Sequence, residues 1–177
     1  MNIIKTEAYR IVVPEYGIKF NYLLIRKNAC SAFKRLIYFA QHSADFKEVP
    51  KSIDIRSIRA SRCFLCKDSI AVYRDPVERL KSAINNKILK PYYLDRNLQF
   101  NIGKEWWKLS LFQVVEKIYN VTYLQRDRHF LTYAEIISPS IEVTWIDFKS
   151  MELEMKRLVG SELSKTFFSV PVNMSQL

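Results

Sequence analysis

Residues 22 to 36, Tyr-Leu-Leu-Ile-Arg-Lys-Asn-Ala-Cys-Ser-Ala-Phe-Lys-Arg-Leu, change their hydrophobic period in mid-stretch. Tyr22 to Ile25 is a continuous apolar run, as in a strand covered on both faces. Phe33, Leu36, Ile37 and Ala40 then recur at i, i+3, i+4 and i+7, which is helical spacing. The residues between, Asn28 to Ala32, are all small or polar. A strand, a tight turn carrying Lys27 and an amphipathic helix over about 33–42 follow. The first N–H groups of a helix have no partners within it, and about half a positive charge gathers there. With Lys27 beside it, the turn reads as a cradle for phosphate or sulfate; otherwise Lys27 is a solvated lysine beside an ordinary strand-to-helix turn. The turn holds no glycine, so it is not the Gly-rich nucleotide loop.

A second stretch repeats the theme. Ser69 to Tyr73 is a short apolar run and a predicted buried strand. It leads directly into Arg74, Asp75 and Pro76, where Asp75 suits a helix N-cap, Pro76 the first helical position and Glu78 the first turn. Val77, Leu80, Ala83, Ile84 and Ile88 form the stripe of that helix. Arg74 leaves the strand at the end where α/β sheets bind ligands, and Ser82 lies two turns on. A guanidinium and a hydroxyl suit a phosphate monoester, because the planar fork engages two oxygens at once. The alternative is a helix cap with Arg74 in a structural ion pair.

The rest of the chain fits around these two units. Residues 9–13 and 18–25 read as strands separated by the turn Pro14 to Gly17. Residues 110–119 read as a helix, 120–131 as a loop, 141–146 as a core strand and 150–159 as a helix. Strands alternating with helices predict an α/β domain with a central, mainly parallel sheet. At 177 residues, with no repeat and no convincing linker, one domain over 1–177 is expected.

Charge and cysteine usage narrow the chemistry. The net charge of +10 favours acidic partners: nucleotides, nucleic acid, polyanionic glycans or an anionic membrane. Three glycines, at 17, 103 and 160, exclude a Gly-rich dinucleotide fingerprint. Cys63 and Cys66 form a lone CxxC; a zinc site would need two more ligands at suitable spacing, and the only histidines, His42 and His129, do not supply it, so no metal is expected. The absence of a 20-residue apolar run or a signal-peptide core predicts a soluble, cytoplasmic protein.

The residues of the first turn, Arg26-Lys27-Asn28-Ala29-Cys30-Ser31-Ala32-Phe33-Lys34-Arg35, resemble the PK-x-[AG]-C-[TS]-x-[WF]-K-R loop of carbohydrate sulfotransferases. The group that includes the chondroitin 4-sulfotransferases is the most similar. Val72 to Ala83 is similar to the family's V-R-D-P-x-E-R-L-x-S-A segment, Asp127 to Phe130 to its D-x-H-W element, and Val170 to Ser175 to its P-x-N-x-S ending. Arg26 stands where the family has proline, Phe33 and Phe130 where tryptophans are usual, and Thr132-Tyr133 where Pro-Gln follows.

The resemblance implies a P-loop-like, three-layer sulfotransferase fold and transfer of a sulfuryl group from 3′-phosphoadenosine 5′-phosphosulfate (PAPS) to a carbohydrate hydroxyl. It implies that residues 26–33 hold the 5′-phosphosulfate and that Arg74 and Ser82 hold the 3′-phosphate. Lys27 would then be catalytic, with His129 the first candidate for general base and His42 the second. Arg56, Arg59 and Arg62 are spaced either to face an acidic glycan acceptor or simply to solvate a loop. Two other classes compete. A basic nucleic-acid-binding domain is allowed by charge and by ten tyrosines and eleven phenylalanines, though no such motif is present. A nucleotide kinase-like phosphotransferase lacks both the glycines and the Ser/Thr that would hold magnesium.

Overall fold

A computed structural model describes residues 7–42, 45–63, 69–89, 102–103, 105–137, 139 and 141–169. The similarity noted at Val170 to Ser175 and the cysteine at 66 fall outside them. The chain divides into two compact units, Asp75–Ser138 and a larger one that precedes and follows it. Each has its own apolar core.

The larger unit holds a five-stranded sheet in the order β3-β1-β2-β4-β5, with β1 Ala8–Val13, β2 Ile18–Leu23, β3 Arg62–Cys63, β4 Ser69–Tyr73 and β5 Val143–Asp147. It is mixed, not mainly parallel. β2, β4 and β5 run parallel, whereas β1 is antiparallel to both β2 and β3. The reason is the short link at Pro14 to Gly17, because a parallel neighbour needs a crossover of a dozen or more residues. Gly17 closes this link at φ 64, its N–H donating to Pro14 O at 3.0 Å.

Alternate strand residues build one face of the sheet: Tyr9, Ile11 and Val13 from β1, Tyr22 from β2, Ile70 and Val72 from β4, and Ile146 from β5. Against it pack Phe33, Leu36 and Ile37 of α1 (Cys30–His42) and Met155, Leu163 and Phe167 of α5 (Met151–Phe168). Both described helices of this unit therefore join one core on one face. The expected helix over 150–159 is the first limb of α5. At Gly160 the backbone reaches φ 82, ψ 167, a region almost restricted to glycine, and the helix breaks. A second limb continues to Phe168, and Ser164 Oγ donates back to Glu152 O at 2.6 Å.

The smaller unit is helical. α2 (Pro76–Lys87) begins as its sequence predicts, with the Asp75 carboxylate accepting from the N–H groups of Val77 and Glu78. Ala83, Ile84 and Ile88 are buried, but Val77 is 60% exposed, off the core side of the stripe. α3 (Leu111–Asn120) and the single turn α4 (Tyr133–Ile136) each start with a capping box, Ser110 with Gln113 and Thr132 with Glu135. Arg126 fastens the end of α3: it donates to the carbonyls of Ile118 and Val121 and forks onto Glu135. Burial pushes the Glu135 carboxyl up, but its bonds to Thr132 and the Arg126 charge outweigh this and hold it below its ordinary range.

Candidate functional site: the turn between β2 and α1

The turn is built by placing two non-glycine residues in the left-handed region, Lys27 at φ 69 and Ala29 at φ 57. Asn28 N–H donates to Ile25 O at 3.2 Å, so Arg26 and Lys27 are the centre of a tight turn. Such turns favour proline at their second residue. Arg26 takes that place here and lies 3.5 Å from Glu7 in an ion pair. Left-handed backbone at a non-glycine residue costs about 1–3 kcal/mol and persists only where the surroundings hold it.

Those surroundings are visible at each carbonyl. Ile25 O is taken by Asn28 N–H. Arg74 Nη1 donates to Lys27 O at 3.2 Å. The Tyr22 hydroxyl donates to Asn28 O at 3.3 Å, and Ala29 O accepts from the N–H groups of Ala32 and Phe33. Burial raises the Tyr22 phenol well above its ordinary range, so it remains a donor. The buried Asn28 side chain donates from Nδ2 to Val72 O at 2.6 Å, joining the turn to β4.

With its carbonyls engaged, the turn presents N–H groups. Among the described residues, Ala29, Cys30 and Ser31 N–H have no backbone acceptor. Ala29 precedes α1 where a Ser, Asp or Asn would cap those groups with its own oxygen, and alanine has none to offer. No acid lies in the first turn of α1. Three amides without backbone acceptors at a helix start suit a small anion.

The predicted site residues separate into four groups. Lys27, Ala29, Cys30, Ser31 and Arg74 gather at the turn. Asn28, Ala32 and Phe33 lie behind it and support it. Phe33 is fully buried, stacked on Tyr22 with ring centres 3.8 Å apart, so it offers a ligand nothing polar. Arg74 braces the turn through Lys27 O and lies 4.8 Å over the Phe148 ring.

Ser82 and His129 belong to the smaller unit. Ser82 is half-buried on α2. The buried Asp127 carboxylate accepts at 2.7 Å from His129 Nδ1 and again from its backbone N–H, which fixes the ring. Burial pushes the Asp127 carboxyl up, but the His129 hydrogen bonds and charge outweigh this and hold it below its ordinary range. His42 is not near the turn. It ends α1, about 18 Å from Cys30 at 1.5 Å per residue, with Nδ1 bonded to Tyr38 O at 2.9 Å. Of the three arginines predicted to face an acceptor, Arg56 is forked onto Asp54.

Sequence reasoning missed the fasteners: the Asn28 amide on Val72, the Tyr22 hydroxyl on Asn28 and the Phe148 ring beneath Arg74. A polar Asn among small residues after an apolar strand was the one available signal. Among the described residues, no group of three His, Cys, Asp or Glu side chains gathers, and no helix is long and apolar enough to cross a membrane. Comparison with protein families, characterised proteins and solved structures found no match to this chain.

Proposed function

We propose that this chain is a PAPS-dependent sulfotransferase acting on a hydroxyl of an acidic carbohydrate, built on a P-loop-like fold. The observation that carries the reading is the uncapped start of α1. The N–H groups of Ala29, Cys30 and Ser31 lie there, just after Lys27, on a turn held by Arg74 and Asn28, and the residues are those in which the chain resembles carbohydrate sulfotransferases. The parallel arrangement of β2, β4 and β5, with the turn at the end of β2 and Arg74 at the end of β4, supports it.

In this reaction the bond between sulfur and the bridging oxygen of the phosphosulfate breaks, and a bond from sulfur to the acceptor oxygen forms. Lys27 and the amides of Ala29 to Ser31 offset charge on the departing phosphate, which leaves as 3′,5′-ADP. Fixed donors of this kind need no reorganisation during the reaction. The residue that the resemblance matches to a general base for the acceptor proton is His129, whose ring Asp127 holds in one orientation. The 3′-phosphate, which distinguishes PAPS from ATP, is assigned to Arg74, and to Ser82 by the resemblance alone.

The nucleic-acid reading is less well supported. Tyr9, Tyr22, Phe33, Phe130 and Phe167 are among the largest fully buried side chains, so much of the aromatic content builds cores rather than a stacking surface. Titration calorimetry with 3′,5′-ADP and 5′-AMP in the presence of EDTA tests the proposal. At least tenfold tighter binding of 3′,5′-ADP is expected, and equal affinities would remove the 3′-phosphate assignment. Transfer of labelled sulfate from PAPS to a desulfated chondroitin or similar uronic-acid polymer then tests the acceptor class.

A further inference from the structure

Helix α3 is apolar over a wider arc than its own core covers. At roughly 100° per residue, Val114, Ile118, Leu111, Val115, Tyr119 and Phe112 follow one another around about 160° of the helix. Only Val114 and Ile118, at one side of that arc, are buried. Leu111 is 54% exposed and Phe112 is 76% exposed. Val115 is only partly buried and Tyr119 is exposed beneath the Arg126 guanidinium. Trp107, in the turn just before the helix, is 64% exposed. Large apolar side chains grouped in this way mark a surface that meets a partner.

Charge identifies the partner. The chain carries +10, yet Glu105 and Glu116 balance Lys108 and Lys117 across residues 105–120. Glu105 and Lys108 also pair with each other at 2.8 Å. An anionic bilayer attracts basic residues around an apolar helix face, and this face has no excess of them. A second copy of the chain is repelled by most of a surface charged +10 but not by this segment. A face that is apolar at its centre and balanced at its margin is also self-complementary, as a two-fold contact requires.

We infer that the exposed face of α3, centred on Leu111 and Phe112, is the contact through which two copies of this chain associate. In a two-fold pairing, Phe112 and Leu111 of each copy cover the other's arc.

Sedimentation velocity from 1 to 200 µM tests this on the full chain. A concentration-dependent dimer is expected, strengthened by added salt, because screening relieves the repulsion between the two basic copies. Phe112→Asp is expected to shift the protein to monomer, with at least a tenfold rise in dimer dissociation constant and an unchanged circular dichroism spectrum. Leu111→Lys serves as an independent second variant should Phe112→Asp fail to fold. Wild type remaining monomeric at 200 µM overturns the inference, as does a dimer that neither substitution weakens. Co-sedimentation of monomeric protein with phosphatidylglycerol vesicles, lost in Phe112→Asp, would assign the face to lipid and equally overturn it. Sulfate transfer enters none of these readouts, so the outcome is separate from that of the proposed activity.

Discussion

The side-chain amide of Asn28 donates to the carbonyl oxygen of Val72 at 2.6 Å, inside a site where neither residue is exposed. It joins the β2–α1 turn to β4, two residues before Arg74, which in turn holds Lys27 O. Turn and arginine are thus fixed to each other through the backbone of one strand. An anion site so built is preorganised: its donors are in place before the ligand arrives.

Replacing Asn28 by alanine leaves a buried carbonyl without this donor and opens a small void. A loss of about 1–3 kcal/mol in stability is expected. Urea unfolding followed by circular dichroism measures the stability. If the bond preorganises the turn, affinity for 3′,5′-ADP falls as well, and unchanged affinity in a folded variant would make Asn28 a packing residue only.

Lys27 combines charge with an unfavourable backbone angle, so two substitutions separate the contributions. Lys27→Ala and Lys27→Gly both lose the ammonium, and turnover with PAPS is expected to fall about a hundredfold or more in each. Only glycine relieves the left-handed backbone, so Lys27→Gly is expected to unfold no more easily than wild type and up to about 1 kcal/mol less easily. Single-turnover transfer within threefold of wild type would show Lys27 to be a solvated lysine.

Arg74→Lys keeps a positive charge but loses the planar fork that reaches Lys27 O while lying on Phe148. A lysine ammonium does not reproduce both contacts. Binding of 3′,5′-ADP is expected to weaken at least tenfold, and calorimetry showing wild-type affinity would indicate that charge alone suffices.

His129 and its carboxylate give a kinetic and a pH signature. His129→Gln is expected to lower turnover by about 10²–10⁴-fold while leaving 3′,5′-ADP binding intact. Asp127 and Glu135 are both held below their ordinary carboxyl range in the folded state. Their stabilisation is therefore complete above the unfolded carboxyl pKa of about 4 and is lost as pH falls through it towards the lower folded values. Urea midpoints between pH 6 and pH 2.5 are expected to fall less steeply for Asp127→Asn than for wild type. Parallel curves would show that the pair does not contribute to acid sensitivity.

The turn and both of its flanking elements were legible because the hydrophobic period changes from continuous to helical within a few residues. The cap at Asp75 was legible for the same kind of local reason. The sheet was read as mainly parallel, although the link at Pro14 to Gly17 is too short for a crossover and makes β1 antiparallel to β2. The second limb of α5 was missed because Gly160 stops one helical pattern without preventing another. The junction at Arg74 and Asp75 carries no linker composition, so the separate core of residues 75–138 was hidden. What held the site together was illegible for a different reason. Asn28 on Val72 and Arg74 on Phe148 are choices of partner that sequence spacing does not predict.

The insertion of residues 75–138 between β4 and β5 has a consequence for how the chain is made. Val143 pairs with Ser69 and Asp147 with Tyr73, so the sheet joins segments separated by about 70 residues, or roughly 4 to 14 s of synthesis at ~5–20 residues per second. Throughout that interval the edge of β4, with Ile70, Ala71 and Val72, has no neighbour on the β5 side. An apolar strand left open in this way invites pairing with another nascent chain. The insert is helical and so folds quickly, whereas the turn between β2 and α1 waits on the slower sheet. Chaperone capture during synthesis is therefore expected to concentrate on the interval between β4 and β5.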